Sequence, residues 1–139
     1  MFQHIMAPVD LGHLSKLTRA LAITAEEAKH HGARVTFVAA TTPSPSPVAH
    51  NPEEFGRKLG GFVADFAAQH GITAAAHPII SHDPVTDIDD VLLKAIDEIG
   101  ADLVIMASHK PGLADYFWPS NGGKIASHTG ASIMLVRDA

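Results

Sequence analysis

Residues 100–107 read Gly100-Ala101-Asp102-Leu103-Val104-Ile105-Met106-Ala107, a glycine followed by a short, continuous apolar run. Immediately upstream, Ile88, Val91, Leu92, Ala95, Ile96 and Ile99 recur at helical spacing between Thr86 and Ile99. A helix, a glycine suited to a left-handed stop, and a strand buried on both faces follow one another. The same succession recurs at Gly32, Gly71 and Gly130, each placed where a helix C′ residue would fall. The expected strands are Ile5–Val9, Arg34–Ala40, Ile72–Ile80, Leu103–Ala107 and Ser132–Val136. Between them, Leu17, Leu21, Thr24 and Ala28 share one face of a helix spanning Ser15 to His31. Asn51-Pro52-Glu53-Glu54 supplies an N-cap, a first-turn proline and a capping-box acid, and Phe55, Leu59, Phe62 and Phe66 follow as an apolar stripe. A short last helix is expected from Ser120 to Thr129. Strand–helix alternation of this kind implies right-handed crossovers and a Rossmann-like, five-stranded parallel sheet covered on both faces, an α/β fold. His77-Pro78 interrupts the third strand, and a proline that cannot donate to the ladder places it at a sheet edge.

The 139 residues suit one domain, spanning 1–139. A net charge of −5 lacks the basic excess of a nucleic-acid or anionic-membrane binder, so neither partner is expected. The absence of cysteine excludes disulfides, thiol catalysis and Cys-based metal sites. The chain enters its first strand within a few residues of Met1, with no signal-type or membrane-length apolar run, so a cytoplasmic location is expected. Thr41-Thr42-Pro43-Ser44-Pro45-Ser46-Pro47 reads as an extended loop with no means of packing.

In an open parallel sheet, ligands bind beyond the C-terminal strand ends where strand order reverses. Pro8-Val9-Asp10-Leu11, Val38-Ala39-Ala40 and Ala107-Ser108-His109-Lys110 stand there. Asp10 is the one carboxylate among them, fit either to accept ribose hydroxyls or to cap a helix. Ser120-Asn121-Gly122-Gly123 opens the last helix, where free N–H groups suit an anion or a plain cap. A P-loop is excluded, because Ile125 follows Lys124 and Trp118 replaces the first glycine.

These segments together resemble the universal stress proteins. Ile5-Met6-Ala7-Pro8-Val9-Asp10 is similar to that family's first strand. Gly100–His109 is similar to its most recognisable segment, and Ser120–Ile125 with Ser132–Arg137 to its last helix and strand. Ser108-His109-Lys110-Pro111-Gly112-Leu113 with Tyr116 is closer to the bacterial F/G-type subgroup. The resemblance implies strand order 3-2-1-4-5, a homodimer through Ser132–Val136, and an ATP site, with Mg²⁺ accompanying the nucleotide. Pro8, Val9, Val38 and Ala39 would then hold the base and Asp10 the ribose. Ala107, His109, Lys110, Ser120, Asn121 and Gly122 would surround the phosphates. The family's glycine motif is degraded: Ala107, Lys110 and Pro119 stand where its nucleotide-binding members carry glycine. Pro119 removes one N–H, a loss on the order of 10- to 100-fold in affinity if that bond is charge-assisted. The alternative is an interaction module whose nucleotide site has decayed.

Ten histidines raise a metal hypothesis, yet His30, His31, His70 and His128 fall in the last turns of expected helices, where they serve as caps. No His-Glu-x-x-His pattern is present, and no metal site is expected. Tyr116-Phe117-Trp118 suits either a plug over a hydrophobic gap or a lid over a bound base. No nucleophile elbow is present either, so the expected role is regulatory binding, not catalysis, with slow ATP hydrolysis left open and a hydrolase or transferase on the same fold as a third alternative.

Overall fold

The computed structural model describes residues 1–82, 84–108 and 122–137. The elements run β1 (His4–Pro8), a 3-10 turn (Leu11–Lys16), α1 (Thr18–His31), β2 (Arg34–Thr41), α2 (Pro52–His70), β3 (Ala74–Ile80), α3 (Pro84–Ile99), β4 (Leu103–Ser108), α4 (Gly122–His128) and β5 (Ser132–Arg137). The five strands form one parallel sheet in the order β3-β2-β1-β4-β5, as expected.

Side-chain alternation divides the core in two. Ile5 and Ala7 of β1 and Val9 just after it, with Val35, Phe37 and Ala39 of β2, face the layer built by α1 and α2. Met6, Val38, Ala40, Val104 and Met106 face the opposite layer, where Ile88, Leu92 and Ile96 of α3 and Ile125 of α4 pack. Phe37 is fully buried, edge-on to Phe62 and Phe66 of α2 at 5.5 and 5.2 Å.

Three of the four expected glycine stops adopt the left-handed conformation, Gly32, Gly71 and Gly100 at φ 62°, 66° and 72°. Gly130 does not; there the Thr129 hydroxyl accepts from the Ala131 N–H at 3.1 Å and makes the turn. Helix α1 begins at Thr18, later than the Ser15 expected, because Asp10 caps a 3-10 turn that absorbs the preceding residues. Strand β3 starts at Ala74, two residues late, and α3 starts at Pro84, two residues early. Asn51 caps α2 through its side chain to the Glu54 N–H at 2.8 Å. His128 Nδ1 meets the Lys124 carbonyl at 2.8 Å, as a helix-end histidine should.

Both strand prolines obey the ladder. In a parallel strand, successive N–H groups point to alternate neighbours. Ser81 N donates to Thr41 on β2, so Pro78, three residues earlier, turns its missing donor to the open edge. Val9 N donates to Val38 on β2 at 2.8 Å, so Pro8 faces β4. Strand β1 pairs with β4 only through Ile5–Leu103 and Met6–Val104, whereas β4 runs beside β5 as far as Ser108. Pro8 thus ends the central ladder at the point where the sheet opens.

Strand β5 departs from the expectation of burial on both faces. Only Val136 is buried, and Leu135 is 43% exposed. It is the last strand of the sheet, and the seven-residue α4 covers little of it.

Candidate functional site

The order reversal lies between β1 and β4, and the chain leaving β1 builds the site's floor. Asp10 follows that strand with extended φ/ψ and is largely buried. Its Oδ1 accepts from the Gly12 N–H at 2.9 Å, while its Oδ2 pairs with His13 Nδ1 at 2.7 Å. His13 reaches back because its own backbone kinks out of the helical region, to φ −138° and ψ 35°. Of the two roles the sequence left open for Asp10, the structure shows the cap of this turn.

Beside Asp10 opens a cavity of about 300 Å³. Asp10, Leu11, Gly12 and His13 form one wall; Ala40, Thr41 and Thr42 continue from β2; Ser46, Pro47 and Val48 form the outer wall, with Phe55 of α2 behind. Carbon atoms dominate it, and a few hydroxyls and one carboxylate supply the polar groups. That composition suits a flat, mostly apolar ligand carrying a few hydrogen-bonding groups.

Residues 43–45 and Pro47 of the proline-rich segment are exposed, as its composition suggests, but its end turns back on the chain and walls the cavity. Ser46 N donates to the Ala49 carbonyl at 2.8 Å, and Ser46 Oγ accepts from the Val48 and Ala49 N–H groups at 3.3 Å. Ala49 is buried. The prolines pre-set φ, and one serine hydroxyl supplies the turn.

Pro8, Val9, Val38 and Ala39 are buried and do not line the cavity; the β2 residues that reach it come later, from Ala40 on. Ala107 is half-buried near the end of β4, paired with Val136, and Gly122 is the first residue of α4. His109, Lys110, Ser120 and Asn121 lie outside the described residues, as do Tyr116, Phe117, Trp118 and Pro119. Sequence reasoning missed Gly12, His13, Thr41, Thr42, Ser46, Pro47, Val48 and the cavity-facing part of Phe55. The signal available was the pair of threonines directly after a strand end. Among the described residues, no three His, Asp or Glu side chains gather as metal ligands, and no helix is long and apolar enough to cross a membrane.

The opposite end of the sheet holds two perturbed titratable groups, His4 and Asp102. His4 is buried, its Nε2 2.6 Å from Thr36 Oγ1. Burial, and then the Arg34 guanidinium, push its imidazole below the ordinary 6.5, against the Ile99 carbonyl and the Asp102 carboxylate. Burial raises Asp102, but the N–H groups of His4 and Gln3 outweigh it and hold the carboxyl below its usual range.

Solved structures share this architecture. A universal stress protein crystallised with cAMP is 18% identical over 99% of both chains, at a TM-score of 0.68. One from Archaeoglobus fulgidus in complex with dAMP is 16% identical over 96% of both, at 0.65. One from Arabidopsis thaliana with AMP bound is 16% identical over 97% of this chain and 90% of that one, at 0.65. At such identities the likeness establishes the fold. The sequence match is more specific: the profile of the universal stress protein family covers residues 1–137, and the chain belongs to that family.

Proposed function

We propose that the protein binds an adenine nucleotide, with ATP and its Mg²⁺ among the ligands, and acts as a cytoplasmic stress-response regulator instead of an enzyme. The observation that carries this reading is the cavity beside Asp10, at the strand-order reversal. Its volume of about 300 Å³ suits a base and part of a sugar. The base stacks among Leu11, Ala40, Val48 and Phe55, while Asp10 takes a ribose hydroxyl. Phosphates extend toward the end of β4, where the family resemblance assigns them to Ala107, His109, Lys110, Ser120, Asn121 and Gly122. The adenine nucleotides found in three structural relatives support the ligand class.

A second reading has its own support. Leu135 stands exposed on an edge strand, which favours a homodimer through Ser132–Val136 and an interaction module independent of any nucleotide. A thermal melt separates the two. With ligand at a thousand times its dissociation constant, binding adds about 4 kcal/mol, which raises the midpoint by roughly 10 °C for a domain of this size. A shift with Mg-ATP or AMP supports the first reading. No shift at millimolar nucleotide, with a concentration-dependent dimer in sedimentation, establishes the second.

A further inference from the structure

The outer wall of the cavity is a strap, residues 46–50, which crosses the 3-10 turn at one point. A Cβ placed on Gly12 would lie 3.4 Å from Val48 Cγ2, so the two residues are in contact distance there. On one side of this crossing is the cavity beside Asp10. On the other is a groove of about 430 Å³, which shares Leu11, Gly12, Pro47 and Val48 and adds Leu14, Lys58 and Phe62. The crossing is thus a partition between two hollows.

The strap is held from α2. Lys58 Nζ donates to the Val48 carbonyl and lies 3.3 Å from Glu54 Oε1. The other Glu54 oxygen, Oε2, accepts from the His50 N–H at 3.1 Å and pairs with His50 Nδ1 at 2.9 Å. The His50 backbone N–H, with its imidazole and Lys58, keeps the Glu54 carboxyl down at about 2. Lys58 is half-exposed, and its ammonium holds the Val48 carbonyl at the crossing.

We infer that Lys58 is a positioning residue for the nucleotide cavity: by holding the Val48 carbonyl it keeps the strap closed over the bound base and governs how fast ligand leaves. The inference rests on the nucleotide-binding reading for its ligand and on the strap geometry for its mechanism. When the Lys58 grip is lost, the strap lifts from Gly12, the two hollows join, and the base gains an exit. Lid and strap motions of this kind commonly set release rates.

The test compares Lys58→Met, which keeps the length and loses the ammonium, with Lys58→Arg, which keeps the charge. Stopped-flow release of a fluorescent AMP derivative is measured beside amide exchange at Val48 and Ala49. Losing one hydrogen bond from a charged donor at an exposed site predicts release about 3- to 10-fold faster in Lys58→Met. Exchange at the two strap amides rises by a similar factor, the rest of α2 is unchanged, and Lys58→Arg restores both. Unchanged strap exchange overturns the inference, and so does a rise spread along α2, which would make Lys58 a support for the helix alone. Faster strap exchange with unaltered release also overturns it. If the wild-type protein takes up no probe, the nucleotide reading fails by itself, and strap exchange in Lys58→Met still decides whether the latch exists.

Discussion

Replacing Asp10 by alanine strikes the turn and the ligand together, and the structure separates the two effects. The side chain caps the 3-10 turn through Gly12 N at 2.9 Å, and losing such a cap costs about 0.5–2 kcal/mol. Its pairing with the 40%-exposed His13 adds no more than about 1 kcal/mol. The sum, roughly 0.5–3 kcal/mol, lowers the melting midpoint by about 2–9 °C in a domain of 139 residues. Asparagine retains an acceptor for Gly12 N, so Asp10→Asn is expected to melt within about 3 °C of wild type. Nucleotide affinity behaves differently. The charge-assisted bond to ribose is lost in both variants, which weakens AMP about 10- to 100-fold. The assay is calorimetric AMP titration beside thermal melts of the wild type, Asp10→Asn and Asp10→Ala. Wild-type melting of Asp10→Ala would refute the capping role. AMP affinity within twofold of wild type in Asp10→Asn would remove Asp10 from ribose recognition.

His4 makes stability depend on pH with a defined sign. Its native imidazole titrates below 6.5, so between 6.5 and the native value the unfolded chain holds the extra proton. Its contribution is complete above about 6.5 and is lost as pH falls through the native value. Urea midpoints at pH 7.5 and 5.5 should converge between wild type and His4→Gln as the solution is acidified; parallel lines would exclude this origin. Phe37→Ala empties a fully buried site between Phe62 and Phe66 and is expected to cost about 3–5 kcal/mol in urea titrations. A loss under 1 kcal/mol would mean that the α2 layer collapses into the cavity left behind.

Much of the fold is legible along the chain. The helical stripe from Ile88 to Ile99, the left-handed stop at Gly100 and the apolar run of β4 are local facts, set by backbone sterics and by side-chain periods of 3.6 and 2. Pro78 identified an edge strand because a missing N–H can be judged without knowing the neighbour. Gly130 misled, because a threonine hydroxyl can make the same turn, and local sequence does not rank the two devices. The site was legible in part. Asp10 stood out as the carboxylate after the first strand, and its position alone left cap and ligand roles open.

The sequence by itself determined which segments are helices and strands and that the sheet is parallel, and it pointed to the C-terminal strand ends for the candidate site, since these follow from local geometry and the handedness of crossovers. Only the tertiary structure decided that a proline-rich loop becomes the wall of a cavity, with Val48 brought onto Gly12 and Lys58 onto the Val48 carbonyl. It also decided that Pro8 faces β4 and ends the central ladder, whereas β5 stays half-exposed. Such contacts join groups distant along the chain, and they exist only after helices and sheet have docked, so no local pattern encodes them.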